Sequence, residues 1–127
     1  MNKAYSLKGR EVFQEVFKRG KRFSGTGLRI IVRNRKNGTE IGSRAGGESE
    51  SPSPRINIGI TINRKYGNAV ARNRSRRIIR SICGDLIREM REGYYIVIQP
   101  DQGFKQKSFI EAREEIKALF RKAGVLS

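Results

Sequence analysis

Residues 56–92 read INIGITINRKYGNAVARNRSRRIIRSICGDLIREMRE. Two periodicities meet in that stretch. Ile56, Ile58, Ile60 and Ile62 alternate with Asn57, Gly59, Thr61 and Asn63. Alternation of that kind predicts a strand over 56–63 with one apolar face. The isoleucine face must pack on helices. The opposite face is small and polar, open either to water or to something that binds there. After the loop Arg64-Lys65-Tyr66-Gly67 the spacing becomes helical: Ile78, Ile79, Ile82, Cys83, Leu86, Ile87 and Met90 form one stripe. A long helix is therefore expected over 68–92, with Asn68 as N-cap and Gly93 as stop. Cys83 lies inside the stripe and reads as a small core residue. Gly84 costs helix stability unless something packs closely on it.

The flanks complete the pattern. Val12, Phe13, Val16 and Phe17 share a helical face, so a first helix is expected over 6–19, capped by Ser6 and closed by a left-handed Gly20. Leu28, Ile30 and Val32 alternate with Arg29, Ile31 and Arg33, a strand over 28–33, and a further short strand fits near Phe23. Residues 37–54 are dominated by Gly, Ser, Glu and Pro. Such a segment buries too little apolar surface to offset its ordering entropy, and reads as a flexible insertion between two strands. Residues 94–99 form another strand and 100–103 a turn. A last helix is expected over 108–122, with Ser108 and Glu111 at capping-box spacing and Phe109, Ala112, Ile116, Leu119, Phe120 and Ala123 as its stripe. The order helix, strand, strand, helix, strand, helix implies an α/β two-layer sandwich, a sheet with packed helices, in a single domain spanning 1–127.

Charge narrows the partner. Lys plus Arg number 28 against 12 acids, a formal net charge of +16. Such an excess repels itself in the folded state unless a polyanion is the usual partner. A membrane is the rival polyanion, but the chain has no long apolar run and no signal-peptide pattern, so a cytoplasmic protein is expected. There is no His, and Cys83 is the only Cys. Histidine acid–base catalysis, zinc sites and disulfides are thereby excluded. Clustered carboxylates holding metal ions remain conceivable chemistry. Yet Glu11, Glu15, Glu89, Glu92, Glu111, Glu114 and Glu115 sit at solvent-face spacing in helical patterns, and no acid lies between Glu50 and Asp85. Neither a catalytic residue nor a metal ligand is assigned to the polypeptide.

The basic centre is the acid-free run holding Arg64, Lys65, Arg72, Arg74, Arg76, Arg77 and Arg80. Like charge at this density penalises an isolated helix, so the apolar stripe must anchor it. Guanidinium groups give planar bidentate donors to phosphate and stack on bases, and the helix N-terminus beside Gly67 adds backbone N–H groups. Charge alone admits double-stranded DNA as well as RNA.

The run from Gly59 to Arg80, with Arg72-Asn73-Arg74 followed by the basic pair Arg76-Arg77 and an isoleucine-rich helix, resembles the signature of the bacterial ribonuclease P protein component. The segment Phe13-Gln14-Glu15-Val16-Phe17-Lys18-Arg19-Gly20 is similar to that family's first helix. The resemblance covers nearly the whole chain. It implies a mixed sheet of the ribosomal protein S5 domain 2-like class, with an unusual left-handed crossover. It implies that Arg64, Lys65, Arg72, Asn73, Arg74, Arg76, Arg77 and Arg80 face a catalytic RNA. It further implies a cleft for the single-stranded 5′ leader of precursor tRNA, lined by Phe13, Phe17, Thr61 and Lys65. Ile31 belongs to the same implied cleft, at a first-strand position that is often aromatic in the family, and the 37–54 insertion is longer than usual. For Phe13 and Phe17, plain core packing is the competing reading.

The implied function is the protein subunit of ribonuclease P, which helps a catalytic RNA remove the 5′ leader of precursor tRNA, Mg2+ serving the RNA. No protein partner and no membrane are required. Two alternatives stand beside it. A structural RNA-binding protein, such as a ribosomal one, explains charge and fold but not the Arg-Asn-Arg run with a polar cleft. A metal-dependent nuclease acting alone needs a constellation the sequence lacks.

Overall fold

The computed structural model describes residues 5–34 and 56–126. The elements are α1 (Arg10–Arg19), β1 (Lys21–Ser24), β2 (Leu28–Asn34), β3 (Ile56–Ile60), α2 (Ala69–Leu86), β4 (Tyr94–Pro100) and α3 (Phe109–Ala123). Single 3-10 turns lie at Arg64–Tyr66, Ile87–Glu89 and Gln102–Gln106. The short strand near Phe23 is β1. The insertion at 37–54 lies outside the described residues.

The sheet order is β1-β2-β4-β3. β2 pairs antiparallel with β1 and β4, whereas β3 runs parallel to β4, so the sheet is mixed. Alternation sorts the side chains. Leu28, Ile30, Val32, Ile56, Ile58, Ile96 and Ile98 meet Ile79, Ile82, Cys83 and Leu86 of α2 and Ala112, Ile116, Leu119 and Phe120 of α3 in the main core. On the other face Ile31, Tyr95 and Val97 pack with Leu7 and with Val16 of α1, flanked by Val12, Phe13 and Phe17. The expected α/β sandwich is what forms, with α2 and α3 on one face and α1 on the other. Both capping expectations for the later helices hold. Asn68 Oδ1 accepts from the Ala71 N–H at 2.9 Å, and Ser108 with Glu111 forms a reciprocal capping box.

Several local expectations are corrected. α1 begins at Arg10 behind Gly9, with no side-chain cap. Ser6 does not cap it, because residues 6–7 are drawn into the sheet: Ser6 bridges Ile58, and the Leu7 N–H donates to the Ile58 carbonyl at 3.0 Å. Gly20 has φ −76, not a left-handed value. Its lack of a side chain serves proximity instead, since a Cβ there would lie 2.6 Å from Ile31 Cγ2. α2 ends at Leu86 and tightens into a 3-10 turn, so Gly93 belongs to the entry into β4 rather than to a helix stop. β3 ends at Ile60, although the Thr61 N–H still donates to the Ile98 carbonyl at 3.0 Å. Phe109, placed in the α3 stripe, is exposed. It occupies the helix's first turn, before the stripe reaches the core.

Burial pushes the Cys83 thiol up to about 12 from an ordinary 9.0, by desolvation of the thiolate. The folded protein should therefore resist thiol reagents at pH 8, and labelling should follow unfolding. A kinetic thiol assay with and without denaturant checks this. Raising the pH through the interval between those values should also lower stability, because the unfolded chain ionises this thiol first.

Candidate nucleic-acid interface

The basic run is built on a loop that hydrogen bonds hold in place. Asn63 Oδ1 accepts from the Lys65 N–H at 2.9 Å and closes the turn Arg64–Tyr66. Tyr66 is buried, and its hydroxyl lies 2.6 Å from Ser75 Oγ of α2. Ser75 is buried as well, so this pair ties the loop to the helix inside the core. Gln102 Nε2 donates to the Lys65 carbonyl at 2.7 Å. Arg72 Nη1 donates to the Gly67 carbonyl at 2.7 Å.

That last bond redistributes the expected roles. Arg72 is half-buried and spends one of its five donors on holding the loop. Arg76 is also half-buried and donates to Asn73 Oδ1 at 3.3 Å. Arg64, Lys65, Asn73, Arg74, Arg77 and Arg80 are exposed. The ion pairs among the described residues are Arg19–Glu15, Arg33–Glu15 and Arg113–Asp85. None involves residues 64–80, so no carboxylate neutralises these cations within the described residues. Among the same residues, no group of three or more His, Cys, Asp or Glu side chains could hold a metal ion.

The α1 face carries a second polar feature. Arg29 Nε donates to Gln99 Oε1 at 3.1 Å, and Gln99 Nε2 donates to Thr61 Oγ1 at 3.1 Å. The row crosses β2, β4 and the end of β3, at the edge of an open groove of about 430 Å³ that Lys65 also lines. α1 stops short of it. Phe13 sits on Gly59, where a Cβ would meet its ring at 2.5 Å. The flank of α1 bearing Val12 and Glu15 meets Asn57, Tyr95 and Arg33. Gly59, on which Phe13 sits, shares a sheet face with Thr61.

Thr61 and Lys65 are thus brought together in one groove, whereas Phe13 and Phe17, both half-buried, pack against the α1-side core. Ile31 is fully buried beneath α1. Arg29 and Gln99 escaped the sequence reading. The alternation that puts Arg29 on the Ile31 face was visible, but the pairing of Arg29 with Gln99 depends on strand register.

A family model described as Ribonuclease P matches residues 1–124. The chain is similar to the ribonuclease P protein component of Symbiobacterium thermophilum, 32% identical over 126 residues, covering 99% of this chain and 96% of that protein. It is 29% identical to the component of Geobacillus kaustophilus, over 99% of this chain and 92% of that one. Among solved structures, the RNase P protein from Thermotoga maritima has a TM-score of 0.69 at 26% identity, covering 91% of this chain and 96% of that one. The Staphylococcus aureus RNase P protein has a TM-score of 0.77 at 22% identity, covering 98% of this chain and all of that one, and shows the same fold.

A loop tied down from inside the core has a measurable stability signature. Tyr66→Phe strands the buried Ser75 hydroxyl and should cost about 1–3 kcal/mol. Adding Ser75→Ala should recover part of that loss, since neither polar partner then remains. Urea unfolding of the two single variants and the double variant measures the coupling. Additive losses would mean that the pair is not coupled.

Proposed function

The chain belongs to the ribonuclease P protein family, and from that premise we propose that it binds the catalytic RNA along α2 and holds the 5′ leader of precursor tRNA across the α1 face of the sheet. It is the protein subunit of ribonuclease P, an endoribonuclease whose holoenzyme includes an RNA subunit. The observation that carries the proposal is the run of seven cations between residues 64 and 80, with no carboxylate partner among the described residues.

The two surfaces do different work. Arg64, Lys65, Arg74, Arg77 and Arg80 neutralise phosphates of the catalytic RNA, and counterion release supplies most of that affinity. Arg72 braces the loop and Arg76 braces Asn73, while their remaining donors serve the RNA. The α1 face suits a single strand. Phe17, and Phe13 in part, offer ring surface for unpaired bases, and Arg29, Gln99, Thr61 and Lys65 offer polar contacts to bases and phosphates. Ile31 supports the cleft from beneath. The protein supplies no reacting group. Mg2+ held by the RNA subunit would supply an activated water and charge stabilisation for the phosphoester hydrolysis. Residues 1–127 act as one domain. The site of action is the cytoplasm, with neither a membrane nor a further protein partner. No helix among the described residues is long and apolar enough to cross a membrane.

The polypeptide alone should leave precursor tRNA intact, and adding the RNA subunit with Mg2+ should give accurate 5′ cleavage. In that holoenzyme Phe17→Ala should weaken binding of a leader-bearing precursor by about 1–3 kcal/mol for each base released, and leave mature tRNA binding unchanged. Affinity for precursors of graded leader length, with thermal unfolding alongside, checks this. Cleavage by the protein alone would sink the subunit reading. Equal losses for mature and precursor tRNA would make Phe17 a core residue only.

A further inference from the structure

On the α2–α3 face, away from the leader surface, the first turns of α2 form one wall of a groove of about 350 Å³. The 3-10 turn Gln102–Gln106 and the start of α3 form the other. Val70, Ile78 and Phe104 give it apolar walls, and Arg74, Lys105 and Lys107 surround it. Phe104 is buried, so the apolar surface continues into the core. Val70 is 75% exposed on an otherwise cationic stretch of helix, where it gains nothing from folding. Lys105 is exposed, yet its ammonium group is held over a ring. Its Nζ lies 5.0 Å from the centroid of the Tyr66 ring. A Cβ on Gly67 would be 3.3 Å from that same Nζ. Among the described residues none of the three cations pairs with a carboxylate.

Each half of this arrangement limits the ligand. Cations without carboxylates, on a chain of net charge +16, select a polyanion. A phosphate alone, or a duplex presenting only its backbone, has no use for Val70 and Ile78. An unpaired nucleotide uses both, laying its base or ribose on apolar surface while cations hold its phosphates. The leader is assigned to the opposite face of the sheet, whereas this groove is continuous with the arginines of α2. We propose that the groove captures an unpaired nucleotide of the RNA subunit, with Lys105 and Lys107 extending the α2 surface and Val70 providing the apolar contact. The inference rests on the reading that α2 faces the catalytic RNA.

The test is the affinity of the full chain for the isolated RNA subunit across a salt series. Four variants are compared: Lys105→Ala/Lys107→Ala, Val70→Ser, Arg77→Ala and Arg80→Ala. Thermal unfolding establishes that each is folded. The lysine pair should weaken binding and flatten the log–log salt slope by roughly 0.7–0.9 for each phosphate left without its cation. Val70→Ser should give a several-fold loss with the slope unchanged. Flattening by the lysine pair with no effect of Val70→Ser would mean a backbone-only contact, and would overturn the unpaired nucleotide. No effect of either, while Arg77→Ala and Arg80→Ala weaken binding, would overturn the groove alone. No effect of any of the four would also remove the α2 reading beneath it. A loss confined to leader-bearing precursor in the holoenzyme would give the groove to the substrate, and the proposal would fail.

Discussion

Burial of β4 on both faces is the constraint from which the rest of the architecture follows. Ile96 and Ile98 are sealed under α2 and α3, and Tyr95 and Val97 under α1 and the Leu7 segment. A strand apolar on both faces needs a helical layer on each side. α1 is too short to cover its whole face, so burial lapses where β4 reaches Gln99. There the side chains turn polar, and Arg29, Gln99 and Thr61 bond across three strands. The open row is the continuation of a packed face beyond the helix that packs it. Its position is set by the length of α1 and by the seating of Phe13 on Gly59.

The distribution of acids supplies the electrostatic counterpart. Glu15 pairs with Arg19 and Arg33, Asp85 pairs with Arg113, Glu111 completes a capping box, and Glu115 accepts from the Thr26 N–H. These few acids serve intramolecular contacts away from residues 64–80. Among the described residues the arginines of α2 are thus left without a carboxylate partner, beside a loop fixed from inside by Tyr66 and Ser75. Exposed ion pairs contribute little stability, so this arrangement costs the fold modestly. What it preserves is a concentrated positive field for RNA.

The strong local signals carried through from sequence to structure. The isoleucine alternation at 56–60, the Asn68 cap and the Ser108–Glu111 capping box are each decided within a few residues, and each forms. Signals that depend on distant chain did not. Ser6 has the chemistry of a cap, but the free edge of β3 captures its backbone. Gly20 has the chemistry of a left-handed stop, but Ile31 requires its bareness. At the site, the cations of α2 were legible as composition, whereas the use of Arg72 to brace Gly67 depends on the loop's path. Gln99 is silent in the sequence because its meaning comes from Arg29 and Thr61, which register alone places beside it. Ile31 follows the pattern of an alternating strand and becomes floor rather than contact, because α1 lies directly upon it.

The central claim is that the sheet separates two RNAs, substrate leader on the α1 side and catalytic RNA on the α2 side. Cys83 is buried, so single surface cysteines are the accessible thiols for a photo-crosslinker among the described residues. Ser24 borders the Arg29–Gln99–Thr61 groove, and Ser81 is exposed on α2 in line with Arg74 and Arg77. The decisive measurement is crosslinking from Ser24→Cys and Ser81→Cys in the assembled holoenzyme with precursor tRNA. The account predicts that position 24 crosslinks to the 5′ leader and position 81 to the RNA subunit. Crosslinking of both positions to the same RNA, or of position 24 to mature tRNA as readily as to precursor, would contradict it.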